Sequence, residues 1–175
     1  MLITGSTDGV GLFAHQLAKI SGAHILGTAR DVRNEALVRE AGADEVIVGD
    51  DISPVRALGP YHLIIDSVGG KTLANVLSLL AKGTTCVTLG LSASPEVTID
   101  VRDIIVAGRI TFYVLNMFEE FNCRDGSEDL GWLAQMVTEQ KLQTAIEASW
   151  HEISNIAQRF LQRQFTGKAV LHLSK

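Results

Sequence analysis

The chain has 175 residues, 46% of them hydrophobic and 20% charged, with 15 Lys and Arg against 20 Asp and Glu for a net charge of −5. That is enough apolar surface for a packed core, which excludes a disordered chain; an acidic surface without a basic run excludes nucleic acid and anionic membrane as partners. Two cysteines, no apolar stretch near the ~20 residues of a membrane helix, and a start (Met1-Leu2-Ile3-Thr4-Gly5) without a basic n-region predict a soluble, reduced, cytoplasmic protein.

Along the chain, short apolar runs alternate with amphipathic stretches. Leu2-Ile3-Thr4 reads as a first strand. Val10, Phe13, Leu17 and Ile20 recur at helical spacing, with Gly22 as the stop. A strand over 24–28, a helix over 34–41 stopped by Gly42, a strand over 45–48 and a short helical turn over 54–58 follow. Then come a strand over 62–66, a helix over 72–81 and a strand over 85–90. This βαβ alternation predicts an α/β fold of Rossmann type, a doubly wound and mostly parallel sheet with helices on both faces. In the last third, 101–107 reads as helix, 110–115 as a rich β segment, 123–129 as a polar loop and 130–140 as helix. A strand over 145–148, a helix over 153–162 and a strand over 169–173 close the chain. The expected division is residues 1–140 as the Rossmann-type domain and 141–175 as a C-terminal segment.

The segment Thr4-Gly5-Ser6-Thr7-Asp8-Gly9-Val10-Gly11 lies directly between the first strand and the first helix. Glycines there let the backbone turn tightly and approach a pyrophosphate, while the helix N-terminus offers free N–H groups and its dipole. The strict G-x-G-x-x-G pattern is not met, because Ser6 and Asp8 fill two of its glycine places; what remains is T-G-x-x-x-G-x-G. A structural tight turn would use the same glycines, but a strand before, a helix after and a second strand at the right distance point to a dinucleotide.

The end of the second strand selects the cofactor. A carboxylate there would bond the ribose 2′-hydroxyl of NAD, and basic groups would meet the 2′-phosphate of NADP. After Gly27 come Thr28, Ala29, Arg30, Asp31, Val32 and Arg33, with no carboxylate at the strand end and two arginines just beyond it. Arginine grips phosphate through a bidentate fork, so Arg30 and Arg33 favour NADP(H) over NAD(H). Asp31 is placed to neutralise either of them.

Short-chain dehydrogenases share the glycine turn but need a Tyr-x-x-x-Lys pair. Tyr61 is followed four places on by Ile65, and Tyr113 by Met117, so that family fails. A longer run resembles the medium-chain dehydrogenase/reductases of the quinone oxidoreductase branch: Leu2-Ile3-Thr4-Gly5, Gly9-Val10-Gly11, Gln16-Leu17-Ala18-Lys19, Gly27-Thr28-Ala29, Ala41-Gly42-Ala43-Asp44, Asp66-Ser67-Val68-Gly69-Gly70 and Gly167-Lys168-Ala169-Val170-Leu171. The resemblance implies that the nicotinamide cofactor is held by Gly5, Ser6, Thr7, Gly9, Val10 and Gly11, by Thr28, Ala29 and Arg30, by Ser67, Val68 and Gly69, and by Gly90 and Leu91. Two residues depart from the pattern: Asp8 stands where the family usually has glycine, and Asn34 where related reductases often carry a phosphate-binding lysine.

The resemblance further implies an N-terminal catalytic domain ahead of the glycine turn, holding the substrate pocket and any zinc ligands, onto which the tail folds back. On that reading this chain binds cofactor, meets a small-molecule substrate only together with the absent domain, and performs little chemistry alone. It also implies a homodimer joined through the edge strand Ile110–Leu115. The alternatives are a fragment of a zinc-dependent alcohol dehydrogenase and a non-catalytic dimerisation module with a degenerate cofactor site, for which Asp8 would be the signature.

Other chemistry is thin. Gly90-Leu91-Ser92-Ala93-Ser94 lacks the second glycine of a nucleophile elbow. His15, His24, His62, His151 and His172 stand singly without ligand spacing, so no metal site and no catalytic residue is assigned. Asp66, at the end of the fourth strand, is equally suited to a structural turn and to the crevice beside it; Cys86 reads as a small core residue.

Overall fold

In the computed structural model of the chain the described residues are 1–51, 53–143, 146–162, 164 and 166–173. Six apolar runs pair into one all-parallel sheet: β1 (Leu2–Ile3), β2 (Leu26–Ala29), β3 (Glu45–Val48), β4 (Tyr61–Asp66), β5 (Leu80–Thr88) and β6 (Thr111–Val114), in the spatial order β3-β2-β1-β4-β5-β6. The helices α1 (Gly9–Ile20), α2 (Glu35–Glu40), α3 (Ser53–Ala57), α4 (Gly70–Leu77) and α5 (Val101–Ala107) fall between successive strands, as parallel pairing demands of its crossovers. This is the doubly wound Rossmann order, with the switch in direction between β1 and β4.

Burial follows the pattern expected of strands covered on both faces. Leu2, Ile3, Ile25 and Ile64 are fully buried, and Leu73, Val76 and Leu77 bring the inner face of α4 onto Val55, Tyr61, Leu80 and Cys86. Cys86 is a core thiol, pushed up to about 12 by that burial and by the nearby Asp66 carboxylate. Helix α1 contributes Gly11, Ala18 and His15 to the interior. His15 is fully buried, and neither ring nitrogen has a hydrogen-bond partner among the described residues, so burial pulls its pKa down to about 4 and keeps the imidazole neutral. Read alone in the sequence, this histidine had no distinguishing signal.

Most element ends shift by one to three residues from the sequence reading, and the departures with a physical reason are these. The helix expected over 72–81 ends at Leu77 with Ser78 as its cap, and β5 starts at Leu80 rather than near Thr85. Leu79 and Leu80 prolong the apolar period, but they are buried against the sheet instead of extending the helix. The strand expected from His24 begins at Leu26, because His24 is drawn to the surface by the Asp44 and Glu45 carboxylates. The polar loop expected over 123–129 is shorter: α6 (Met117–Cys123), capped by the Asn116 side chain, and α7 (Ser127–Thr138) flank it. Helix α6 has no buried residue: Met117, Phe118 and Phe121 recur at helical spacing but stay exposed.

The tail forms a second, separate sheet in which β7 (Ile146–Ser149) and β8 (Ala169–His172) run parallel, joined across α8 (Ile153–Leu161). Of the strand expected over 145–148, Ala145 lies outside the described residues. Just ahead of β8 the tail returns to the first turn of the chain: Gly167 N–H donates to the Thr7 carbonyl at 2.8 Å, and Asp8 and Gly167 make an isolated parallel bridge. No described helix is long and apolar enough to cross a membrane.

Candidate functional site

The carboxyl ends of β1, β4 and β5 meet at the switch point, and the residues there are glycines because the backbones touch. Gly5 has φ +68°, and a Cβ on it would lie 2.0 Å from Ser67 Oγ. A Cβ on Gly90 would come within 2.7 Å of the Ser67 carbonyl, and one on Gly69 within 2.7 Å of the Ser94 carbonyl and 3.2 Å of Leu91 Cα. Gly11 packs α1 onto the turn, its Cβ position 2.4 Å from the Gly5 carbonyl. So Gly5, Gly11, Ser67, Gly69, Gly90 and Leu91, distant in sequence, come together at the switch-point crevice.

Ser6 ties this turn to β2. Its buried hydroxyl donates to the Ile3 carbonyl at 2.9 Å and accepts the Thr28 N–H at 3.0 Å, which fixes where β2 ends relative to the turn. Ala29 is buried below it and Arg30 leaves the strand exposed. Among the described residues Arg30 makes no ion pair, whereas Arg33 donates to Asp31 through Nε at 2.8 Å and also through Nη2. That pairing holds the Asp31 carboxyl down at about 2. The two arginines are therefore unequal: one guanidinium is free for a phosphate, and the other already faces a carboxylate. Asn34 closes the 3₁₀ turn after β2 without capping α2 through its side chain.

Below the crevice, Asp66 is fully buried and structural. It accepts from Thr4 Oγ1 at 2.5 Å and Gly69 N at 2.9 Å, with Thr88 Oγ1 at 3.5 Å, which stitches β1, β4 and β5 together under the site. Val68 and Ser67 carbonyls receive the Ala93 and Ser92 N–H groups at 2.8 and 3.3 Å, holding the 90–93 loop over the end of β4. Thr7 uses its carbonyl for Gly167, Gly9 faces Gly167 and Lys168, and Val10 is exposed on the first turn of α1.

The crevice fits a dinucleotide in two respects: its place at the switch point and the helix N-terminus that ends there. The third element is Asp8. It is the N-cap of α1, with Oδ1 accepting the Gly11 N–H at 2.6 Å and Oδ2 accepting the Ser67 hydroxyl at 2.5 Å. Sequence reasoning singled out Asp8 and Ser67 separately but not their contact, because they lie 59 residues apart. The Gly167–Thr7 clasp was equally invisible, since neither residue carries a chemical signature. No group of three or more His, Cys, Asp or Glu among the described residues is arranged to hold a metal ion.

A family model described as zinc-binding dehydrogenase matches residues 9–139. The mouse NAD(P)H oxidoreductase RTN4IP1, mitochondrial, is 42% identical over 93 residues, 50% of this chain and 23% of that protein. Human quinone oxidoreductase is 25% identical over 151 residues, 80% of this chain and 46% of that protein. A mycobacterial protein, Rv1454c, solved in complex with NADPH, superimposes with a TM-score of 0.79 at 24% identity, over 98% of this chain and 56% of its own. The chain thus spans less than half the length of either curated relative. With the switch-point crevice, the glycine turn and a family match over most of its length, the chain belongs to the zinc-binding dehydrogenase family and corresponds to the cofactor-binding domain of its NAD(P)H oxidoreductases.

Proposed function

We propose that the chain binds NADP(H) in preference to NAD(H), as the cofactor domain of a reductase acting on a quinone or an activated carbon–carbon double bond. The observation that carries the preference is the end of β2: no carboxylate is in place for a ribose 2′-hydroxyl, and Arg30 is exposed and unpaired among the described residues. The relatives' names, an NAD(P)H oxidoreductase and a quinone oxidoreductase, support the reaction class. When bound, the cofactor supplies hydride; the protein's work is to position it. The Ser6 link between the turn and β2 sets the distance between pyrophosphate and ribose sites, Arg30 takes the 2′-phosphate, and Gly69 and Gly90 let the 90–94 loop close on the end of β4, beside which the nicotinamide half would lie.

Titration of the purified chain with NADPH and NADH, followed by nicotinamide fluorescence, tests this. NADPH is expected to bind at least about tenfold more tightly, the scale of a charge-assisted contact. Arg30→Ala is expected to abolish the difference by weakening NADPH alone, and Arg33→Ala to change it less. Equal affinities in the wild type would refute the preference and leave the cofactor site standing; binding of neither would remove the cofactor reading.

The same reading makes the chain a homodimer through β6. That strand is the sheet edge, all four of its residues are exposed, and Phe118 and Phe121 beside it are exposed as well. Because Arg109 and Leu115 turn their main-chain groups toward β5, alternation points those of Phe112 and Val114 outward, as a template for a second strand. Val114→Pro removes an outward N–H and leaves the β5 ladder intact. Sedimentation is expected to give a dimer for the wild type and a monomer for the variant; a monomeric wild type would exclude the edge pairing.

A further inference from the structure

The anion place at the start of α1 is already taken by a group of the chain itself. Asp8 accepts the Gly11 N–H through one oxygen and the Ser67 hydroxyl through the other, and Oδ2 lies 3.0 Å from where a Gly5 Cβ would be. The carboxylate thus bridges the glycine turn and the end of β4, across the mouth through which a pyrophosphate would reach the N-terminus of α1. It engages two of the groups that the crevice offers to an anion.

Among the described residues Asp8 makes no ion pair, although the Lys168 stem lies 3.6 Å from the Cβ position of Gly9. A helix N-terminus stabilises one negative charge there, and a second placed beside it meets repulsion in a partly buried setting. The tail fixes the backbone that carries this carboxylate: Gly167 N–H donates to the Thr7 carbonyl, and Gly167 bridges Asp8.

We propose that Asp8 is a built-in competitor for the cofactor pyrophosphate, which must displace the carboxylate from Gly11 N and Ser67 Oγ to bind. This rests on the cofactor reading above and deepens it: the residue sets affinity for the diphosphate half of the nucleotide and leaves the adenosine 2′-phosphate half, at Arg30, untouched. Asp8 is a positioning residue in this sense and takes no part in hydride transfer. The site is consequently tuned to weak occupancy, and the balance between carboxylate and pyrophosphate decides how much cofactor the domain holds.

The test uses the full chain and two ligands, NADPH and adenosine 2′-phosphate, the second lacking the pyrophosphate. Asp8→Asn removes the charge and keeps an N-cap of equal quality, so the fold is preserved; Asp8→Gly is the second variant, glycine being well tolerated as an N-cap. Both are expected to tighten NADPH binding roughly tenfold and leave adenosine 2′-phosphate unchanged. If wild type binds NADPH and neither variant binds it more tightly, the competitor role is wrong and the cofactor site survives. Equal tightening of both ligands would also overturn it, since a general charge effect would then be at work. If no form binds NADPH, the cofactor reading falls and takes this proposal with it.

Discussion

Gly11→Ala is expected to destabilise the chain by about 3 kcal/mol, the upper end for forcing an extra methyl group into a packed site. The backbone torsion of Gly11 is ordinary, so strain is not the cause. The added carbon would lie 2.4 Å from the Gly5 carbonyl oxygen, 2.9 Å from Ser6 Cα and 3.0 Å from Ser6 C, and every one of these atoms is backbone. No side chain can rotate away; α1 must lift off the turn, and Gly11 is buried where it does so. A matched control is Gly131→Ala in the middle of α7, where nothing lies within 4 Å. That change is expected to stabilise by about 0.5–1 kcal/mol, because alanine is the better helix former. Urea midpoints of the two variants should therefore move in opposite directions. A Gly11→Ala midpoint within error of the wild type would mean that the contact between helix and turn is not tight.

The second large effect is on acid sensitivity. His15 has an ordinary value of 6.5 when unfolded and about 4 in the folded core, where burial opposes the imidazolium. Above pH 6.5 both states carry a neutral ring and the difference is silent. As the pH falls from 6.5 toward 4 only the unfolded chain takes up the proton, so stability is lost by up to about 1.4 kcal/mol per pH unit and about 3 kcal/mol in total. His15→Leu removes this group, and its stability should run flatter between pH 7 and pH 4.5 while the wild type falls. Denaturant unfolding at pH 7.5 and pH 5.0 checks it, with about 2 kcal/mol expected between the two slopes. Parallel slopes would show that the ring finds a partner or water in solution. The depressed Asp31 and Asp44 carboxylates act only at lower pH, so they do not mask the window.

How far the sequence could be read depended on whether a residue's partner was near it in the chain. The strand–helix alternation was plain because each element carries its own period, and the first turn because all its glycines fall within eight residues. The 72–81 helix overshot because Leu79 and Leu80 satisfy a helical spacing and a buried strand start equally well. Helix α6 went unread because its one apolar stripe, Met117, Phe118 and Phe121, is short and stays exposed. At the site, Arg30 and Arg33 looked alike until Asp31 was seen to hold one of them, and Asp66 could be read as structural only once Thr4 and Gly69 were found on its two oxygens. His15 resembled the other histidines of the chain in sequence, and only the approach of α1 to Gly27 made it a core residue.

The strand at the middle of the sheet is only two residues long, yet it joins the two halves. Leu2 and Ile3 pair with Leu26 and Gly27 on one side and with Ile64 and Ile65 on the other, so one of the two seams closes a loop of more than sixty residues. Such a closure carries a large entropic penalty until the partner strand is itself in place. The glycine turn hangs directly from this strand, and Ser67 directly from its distant partner. The crevice and the sheet centre consequently come into being in the same folding event. A nucleotide that recognises the crevice would therefore recognise only chains whose two halves have already met, and its binding would draw the folding equilibrium toward the completed domain.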